Sequence, residues 1–171
     1  IMVAVIMTVA YKDREKKDLQ AVAREVTASI REAQNNSLTG KQKGTGTMPC
    51  TFQIVFSGGT YQINHETRDL DTHDCRGSFD EFFETQGLPL SVSVDSMQAL
   101  ESGTSDTYKN VTDIRFDVPY GKMTFGTDED IYDGAELILE KNDRYYHICL
   151  HTTGLIEDFG MNEDPKPICK F

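Results

Sequence analysis

No catalytic signature is present in this 171-residue chain. It holds no G-x-S-x-G elbow, no H-E-x-x-H helix and no P-loop, so the short arrangements that place a nucleophile, a metal-bound water or a phosphate cradle are missing, and the chain is not expected to be an enzyme. The four cysteines, Cys50, Cys75, Cys149 and Cys169, fall at no C-x-x-C or other metal-ligand spacing. Basic charge is scarce. Lys and Arg number 17 against 28 Asp and Glu, a net charge of −11, and the average field of such a surface repels DNA and other polyanions. No apolar run reaches the length of about 20 residues that crosses a bilayer. The start of the chain does not read as a secretory signal, because no basic segment precedes its apolar run and no A-x-A site follows it. Repeats and low-complexity linkers are absent too, so the length fits one domain with a real core.

The most informative stretch present is residues 1–34. An apolar decamer, Ile1-Met2-Val3-Ala4-Val5-Ile6-Met7-Thr8-Val9-Ala10, passes without Gly or Pro into the mixed-charge run Tyr11-Lys12-Asp13-Arg14-Glu15-Lys16-Lys17-Asp18. That run passes, again unbroken, into an amphipathic segment in which Leu19, Val22, Val26, Ile30 and Ala33 recur at helical spacing while Arg24, Glu25, Arg31 and Glu32 lie off the stripe. Asn35-Asn36-Ser37 and then Gly40 end it. The pattern predicts one helix of about 36 residues, about 54 Å long. This exceeds the width of a small domain, so residues 1–18 are expected to project while residues 19–40 pack on a head formed by residues 41–171. A solvated helix accounts for the charged run through i,i+4 pairs such as Asp13 with Lys17, each contributing about 0.3–0.5 kcal/mol.

The head reads as β. Thr51-Phe52-Gln53-Ile54-Val55-Phe56, Gly58-Gly59 and Thr60-Tyr61-Gln62-Ile63 form a hairpin signal. Phe79-Asp80-Glu81-Phe82-Phe83 has the look of a short helix. Residues 88–94 and 114–118 alternate at period two, Pro119-Tyr120-Gly121 marks a turn, and Lys141-Asn142-Asp143 separates two further strands. The expected class is therefore α+β: a long N-terminal helix packed through its apolar stripe on one face of an antiparallel sheet.

Three local patterns resemble the type IV pilins and the pseudopilins of type II secretion, and are most similar to minor pseudopilins of the FimT and H type. The helix end, residues 24–40, is similar to their Ala-Arg-x-x-Ala-like run before a Gly-ended loop. Ile114-Arg115-Phe116-Asp117-Val118-Pro119-Tyr120-Gly121-Lys122-Met123-Thr124-Phe125 resembles their I-x-F-x-x-x-G-x-x-T-F hairpin. Ile148-Cys149-Leu150-His151-Thr152-Thr153-Gly154-Leu155-Ile156 resembles their closing strand and T-G-x-I turn. Residues 60–110 carry no such match. The family's mature chain opens with Phe and has Glu at its fifth position, and neither stands here; about 10–15 further residues are expected upstream to complete a span of about 20.

The resemblance implies a subunit held in the inner membrane by its apolar helix and then drawn into a periplasmic or extracellular filament with copies of itself or other pilin-like subunits. Ile1, Val3, Val5, Ile6 and Val9 would line the filament core, and the charges of residues 12–18 would lie at the junction of core and heads. An even cysteine count at wide spacing suggests two disulfides and an oxidising compartment. Four cysteines admit three pairings. Near-neighbour pairing, Cys50 with Cys75 and Cys149 with Cys169, is the expectation, and a C-terminal disulfide of that sort is what the resemblance implies.

Other chemistry is weaker. His147, Cys149 and His151 share a strand face and are zinc ligands in kind, but a disulfide removes the thiolate, and exposed polar strand positions explain them. Asp128, Glu129, Asp130 and Asp133 form an acidic loop with a weak resemblance to calcium ligation and no EF-hand spacing; a solvated loop is the plainer account, and no metal or other cofactor is expected. Asp69-Leu70-Asp71-Thr72-His73-Asp74 is weaker still. Alternative readings are a secreted monomeric binding module or adhesin head, a membrane-anchored enzyme, and a DNA-uptake minor pilin relying on Lys41, Lys43, Lys166 and Lys170, although no nucleic-acid partner is expected of so acidic a chain.

Overall fold

A computed structural model describes residues 2–40, 49–67, 75, 81–89, 91–104, 106–126 and 132–171, with the side chains of residues 2–12, 67 and 81–83 left out. One helix, α1 (Met2–Thr39), precedes ten strands: β1 (Pro49–Ser57), β2 (Thr60–Thr67), β3 (Glu81–Gly87), β4 (Ser93–Glu101), β5 (Tyr108–Asn110), β6 (Asp113–Asp117), β7 (Met123–Phe125), β8 (Tyr132–Glu140), β9 (Tyr145–His151) and β10 (Ile156–Asn162). The class is α+β.

The single sheet of the sequence reading is two. One has the order β3-β2-β1-β6-β7 and the other β10-β9-β8-β4-β5, each antiparallel throughout. Strand periodicity reports which face is apolar but not which strand pairs with which, so it could not divide the ladder. Backbone bonds join the sheets at one end, from Phe56 N to Thr112 O at 2.9 Å and from Val111 N to Met97 O at 2.9 Å. α1 packs against β1 and β6 of the first sheet and against β8, β9 and β10 of the second. A single core results, in which Leu19, Val22, Val26, Ile30 and Ala33 meet Phe52, Ile54 and Phe116 from one sheet and Leu137, Ile148 and Leu150 from the other.

Two strand boundaries correct the sequence reading. The helix-like run at residues 79–83 enters β3 at Glu81, where the backbone pairs with β2, Phe82 opposite Asn64. Five residues are too few to sustain a helix alone, and the open edge of β2 offers ladder partners to Glu81 and Phe82. The alternating run at residues 88–94 is mostly connection. Leu88 N bonds Gly59 O at 2.7 Å, Ser91 takes a φ of 58°, Val92 N closes a turn onto Pro89 O at 3.2 Å, and β4 begins only at Ser93. Pro89 has no N–H to give a ladder, so the chain turns there first.

The punctuation read as turns does turn. Gly58 adopts φ 54° between β1 and β2, and Gly40 φ 58° after α1. Asn142 and Asp143 both take positive φ, and Lys141 and Arg144 exchange backbone bonds at 3.0 and 3.2 Å around them. This is the two-residue hairpin that matches strand twist.

Candidate assembly helix and the clamped tail

α1 is held in the head by an apolar stripe and fastened by polar contacts along its length. Leu19, Val22, Val26, Ile30 and Ala33 are all buried, as is Ala23 between them. Ser29 Oγ shares a hydrogen bond of 2.7 Å with the Tyr61 hydroxyl on the first sheet. Arg31 Nη2 donates to Ile156 O and Gln34 Nε2 to Gly154 O on the second, each at 3.4 Å. A side chain on Gly154 would run into Gln34, since an added Cβ would lie 2.3 Å from Gln34 Nε2.

The charged run meets its own head through the β8–β9 turn. Glu15 Oε1 accepts from Asn142 Nδ2 at 2.6 Å, Glu15 Oε2 lies 3.8 Å from Arg144 Nε, and Asp18 Oδ2 accepts from Lys141 Nζ at 3.0 Å. Two of the carboxylates expected at a junction between subunits therefore have partners within the chain, while Asp13, Arg14, Lys16 and Lys17 are exposed. The first side chain of α1 described as buried is Glu15. The helical backbone continues without a break from there back to Met2.

Ile1 lies outside the described residues. Val3, Val5, Ile6 and Val9 are on the helical backbone with their side chains outside the description. Among the described residues no helix is long and apolar enough to cross a membrane.

Disulfides join Cys50 to Cys75 and Cys149 to Cys169. Such bonds persist in oxidising, extracytoplasmic compartments. Asp128, Glu129 and Asp130 are outside the described residues, as are residues 69–74, Lys41 and Lys43. Asp133 accepts from Ser102 Oγ at 2.8 Å, and among the described residues no three His, Cys, Asp or Glu side chains converge as a metal site. Lys166 and Lys170 are exposed on the tail, Lys166 with Asp164 4.0 Å away.

The polar face of β9 overturns an expectation. His147 is wholly buried and Cys149 nearly so, and only His151 is partly open. The chain beyond β10 returns across this face and covers it. Glu136 on β8, also wholly buried, is the hub. Its carboxylate accepts from His147 Nδ1 at 2.5 Å, from Ile168 N at 2.9 Å and from Cys169 N at 2.9 Å. The other ring nitrogen of His147 faces the Asp164 carbonyl at 3.2 Å, so the imidazole spans from sheet to tail. Further along, the Phe171 ring meets His151 edge-on with centroids 5.0 Å apart. It lies directly over Gly134, where an added Cβ would stand 2.2 Å from the ring. The Phe171 ring could not lie there with a side chain at that position.

Sequence reasoning missed Glu136 and His147 as partners. The signal was available in part. Glu136 stands between Ala135 and Leu137 at the apolar centre of β8, and a buried carboxylate must find donors. What supplies them is a segment 32 residues away, which pairwise patterns do not reach.

The fold and this arrangement define an α+β head, doubly stapled, carried on one long helix. No protein-family model, curated protein or solved structure matches the chain.

Proposed function

We propose that this chain is a structural subunit that polymerises through α1, in the manner of a type IV pilin or a type II secretion pseudopilin, waiting in the inner membrane before it joins a periplasmic or extracellular filament. One observation carries the reading. α1 runs for 38 residues, about 57 Å, and its described side-chain contacts with the head run from Glu15 to Gln34. The apolar sequence lies in the remaining part, at the far end from the head's core. A lone soluble domain has no physical use for ten apolar residues placed there, whereas a bundle of identical helices buries them. Two disulfides agree with an extracytoplasmic destination. The head supplies a surface and the helix the cohesion, and no bond is made or broken.

The test is assembly of the full chain, examined by electron microscopy and sedimentation. Filaments of uniform width are expected from the wild type, and their loss is expected with Val5→Asp combined with Val9→Asp, while circular dichroism of the head is retained. A wild type that stays monomeric under all assembly conditions, or a double variant that assembles as well as the wild type, overturns the reading.

A further inference from the structure

The hydrogen bonds around His147 do not close with a neutral imidazole beside an ionised carboxylate. His147 and Glu136 lie wholly inside the fold, and each ring nitrogen faces an oxygen. Nδ1 stands 2.5 Å from Glu136 Oε1, and Nε2 3.2 Å from the Asp164 carbonyl. A carbonyl oxygen only accepts, so Nε2 must carry hydrogen. Glu136 Oε2 already takes the amides of Ile168 and Cys169, each at 2.9 Å. A neutral imidazole has a single N–H. Beside an ionised Glu136 it would set a bare lone pair, at Nδ1 or at Nε2, against an oxygen in a site closed to water, an unmade bond in a place where such bonds cost most. One more proton, on Nδ1 or on Oε1, satisfies every contact at once.

We infer that this proton is part of the tail's fastening, so that the Glu136–His147 couple makes residues 164–169 a pH-sensitive latch. The groups packed around the couple do not replace it. Gln98 on β4 and Cys149 on β9 stand opposite Glu136, and Gly160 on β10 stands opposite His147; none of the three titrates, since Cys149 is in its disulfide. Tyr108 on β5 donates its hydroxyl to the Cys169 carbonyl at 3.4 Å, and burial first, then the charge of Glu136, hold that phenol above its ordinary 10.0, too weak an acid to lend the proton. On the tail, the Asp164 carboxylate accepts from Lys166 N at 3.0 Å and lies 4.0 Å from Lys166 Nζ. His151 faces Glu157 at 3.2 Å. Once the tail lifts, both members of the couple meet water and take their ordinary values, about 4.3 for the carboxyl and about 6.5 for the imidazole. Above the second value the open couple has given its proton to water, so opening releases one proton and becomes about tenfold more favourable for each unit of pH. Between the two values opening neither takes up nor releases a proton, and the latch closes most firmly. Below the first, the lifted carboxyl gains a proton and opening is favoured again. This inference stands apart from the assembly reading.

Hydrogen exchange of the Ile168 amide in the full, disulfide-bonded chain tests it, after correction for the intrinsic rise of exchange with pH. Protection is expected to fall about tenfold per unit between about pH 7 and about pH 8.5. Glu136→Gln separates the proton from the packing. Its carboxamide donates to Nδ1 and accepts from the tail amides, which satisfies the same contacts with a neutral imidazole, so its protection is expected to stay constant over that range. A wild type whose protection does not change with pH, or a Glu136→Gln variant that keeps the wild-type slope, overturns the inference. NMR of the isotope-labelled ring and carboxyl reads the wild type alone, so the test survives a variant that fails to fold. Hydrogen on Nε2, with either Nδ1 or the Glu136 carboxyl protonated, is expected above the ordinary imidazole range; a bare Nε2, or a bare Nδ1 beside an ionised Glu136, overturns the latch.

Discussion

The two faces of the β8–β9 pair are both dry at their centres, by different chemistry. Toward α1, Leu137, Leu139, Ile148 and Leu150 have essentially no solvent exposure, and exclusion of water is all they require. On the other face Glu136 and His147 are buried just as completely, but they remain so only because the tail brings Ile168 N, Cys169 N and the Asp164 carbonyl to them. An apolar face accepts many partners of suitable volume, whereas a buried carboxylate accepts one register, since a shift of one residue leaves it without its donors. The inner face thus contributes bulk stability, and the outer face determines where the last residues lie.

Breaking the polar face should cost most. Glu136→Ala leaves two tail amides and His147 without their acceptor, and the expected loss is about 4 kcal/mol in denaturant unfolding. Amide exchange should rise first at Ile168 and Cys169, ahead of α1; uniform acceleration across the chain would mean that the clamp is not a separate unit. The inner face answers with Leu150→Ala, expected to lose about 3.5 kcal/mol through transfer and cavity terms. That loss should leave the exchange order of the tail relative to α1 unchanged.

Replacing Cys149 and Cys169 together by Ser should cost about 3 kcal/mol from loop-closure entropy. Glu136 should still hold the tail in the folded state, so near-native exchange at Ile168 is expected below the unfolding transition, and a freely exchanging tail would show the disulfide to be the sole fastening. The smallest effect distinguishes the seam with α1. Burial first, and then its hydrogen bond to Asp158, raise the Tyr146 phenol well above its ordinary value of 10.0. A raised phenol favours the neutral form in the fold, so its contribution is complete below pH 10 and is lost as the pH climbs past the unfolded value. Tyr146→Phe should flatten the fall in melting temperature above pH 10; an identical alkaline profile would remove Tyr146 as its source.

How much of this was legible follows from the range of each signal. The stripe of α1 from Leu19 to Ala33 was readable because neighbours three and four residues apart share a face whatever they pack on. The hairpins at Gly58 and Asn142 were readable because positive φ is a local demand. β3 was not, since its state depends on the edge that β2 offers rather than on its own seven residues. The burial of His147 was not, because period-two patterning tells one strand face from the other but carries no information about a tail arriving from further along the chain.

Local chemistry in the chain itself determined a long helix with one apolar stripe, an antiparallel β head, and the places where the backbone reverses. Those depend on interactions within about one helical turn or one hairpin, which adjacent residues specify. Only tertiary structure decided that the strands divide into two sheets, that Glu15 and Asp18 meet the β8–β9 turn, and that Glu136 and His147 lie beneath the tail. Each of these joins segments far apart in sequence, and the energy that selects among such pairings is the satisfaction of buried polar groups and the closure of a shared core, which no single segment contains.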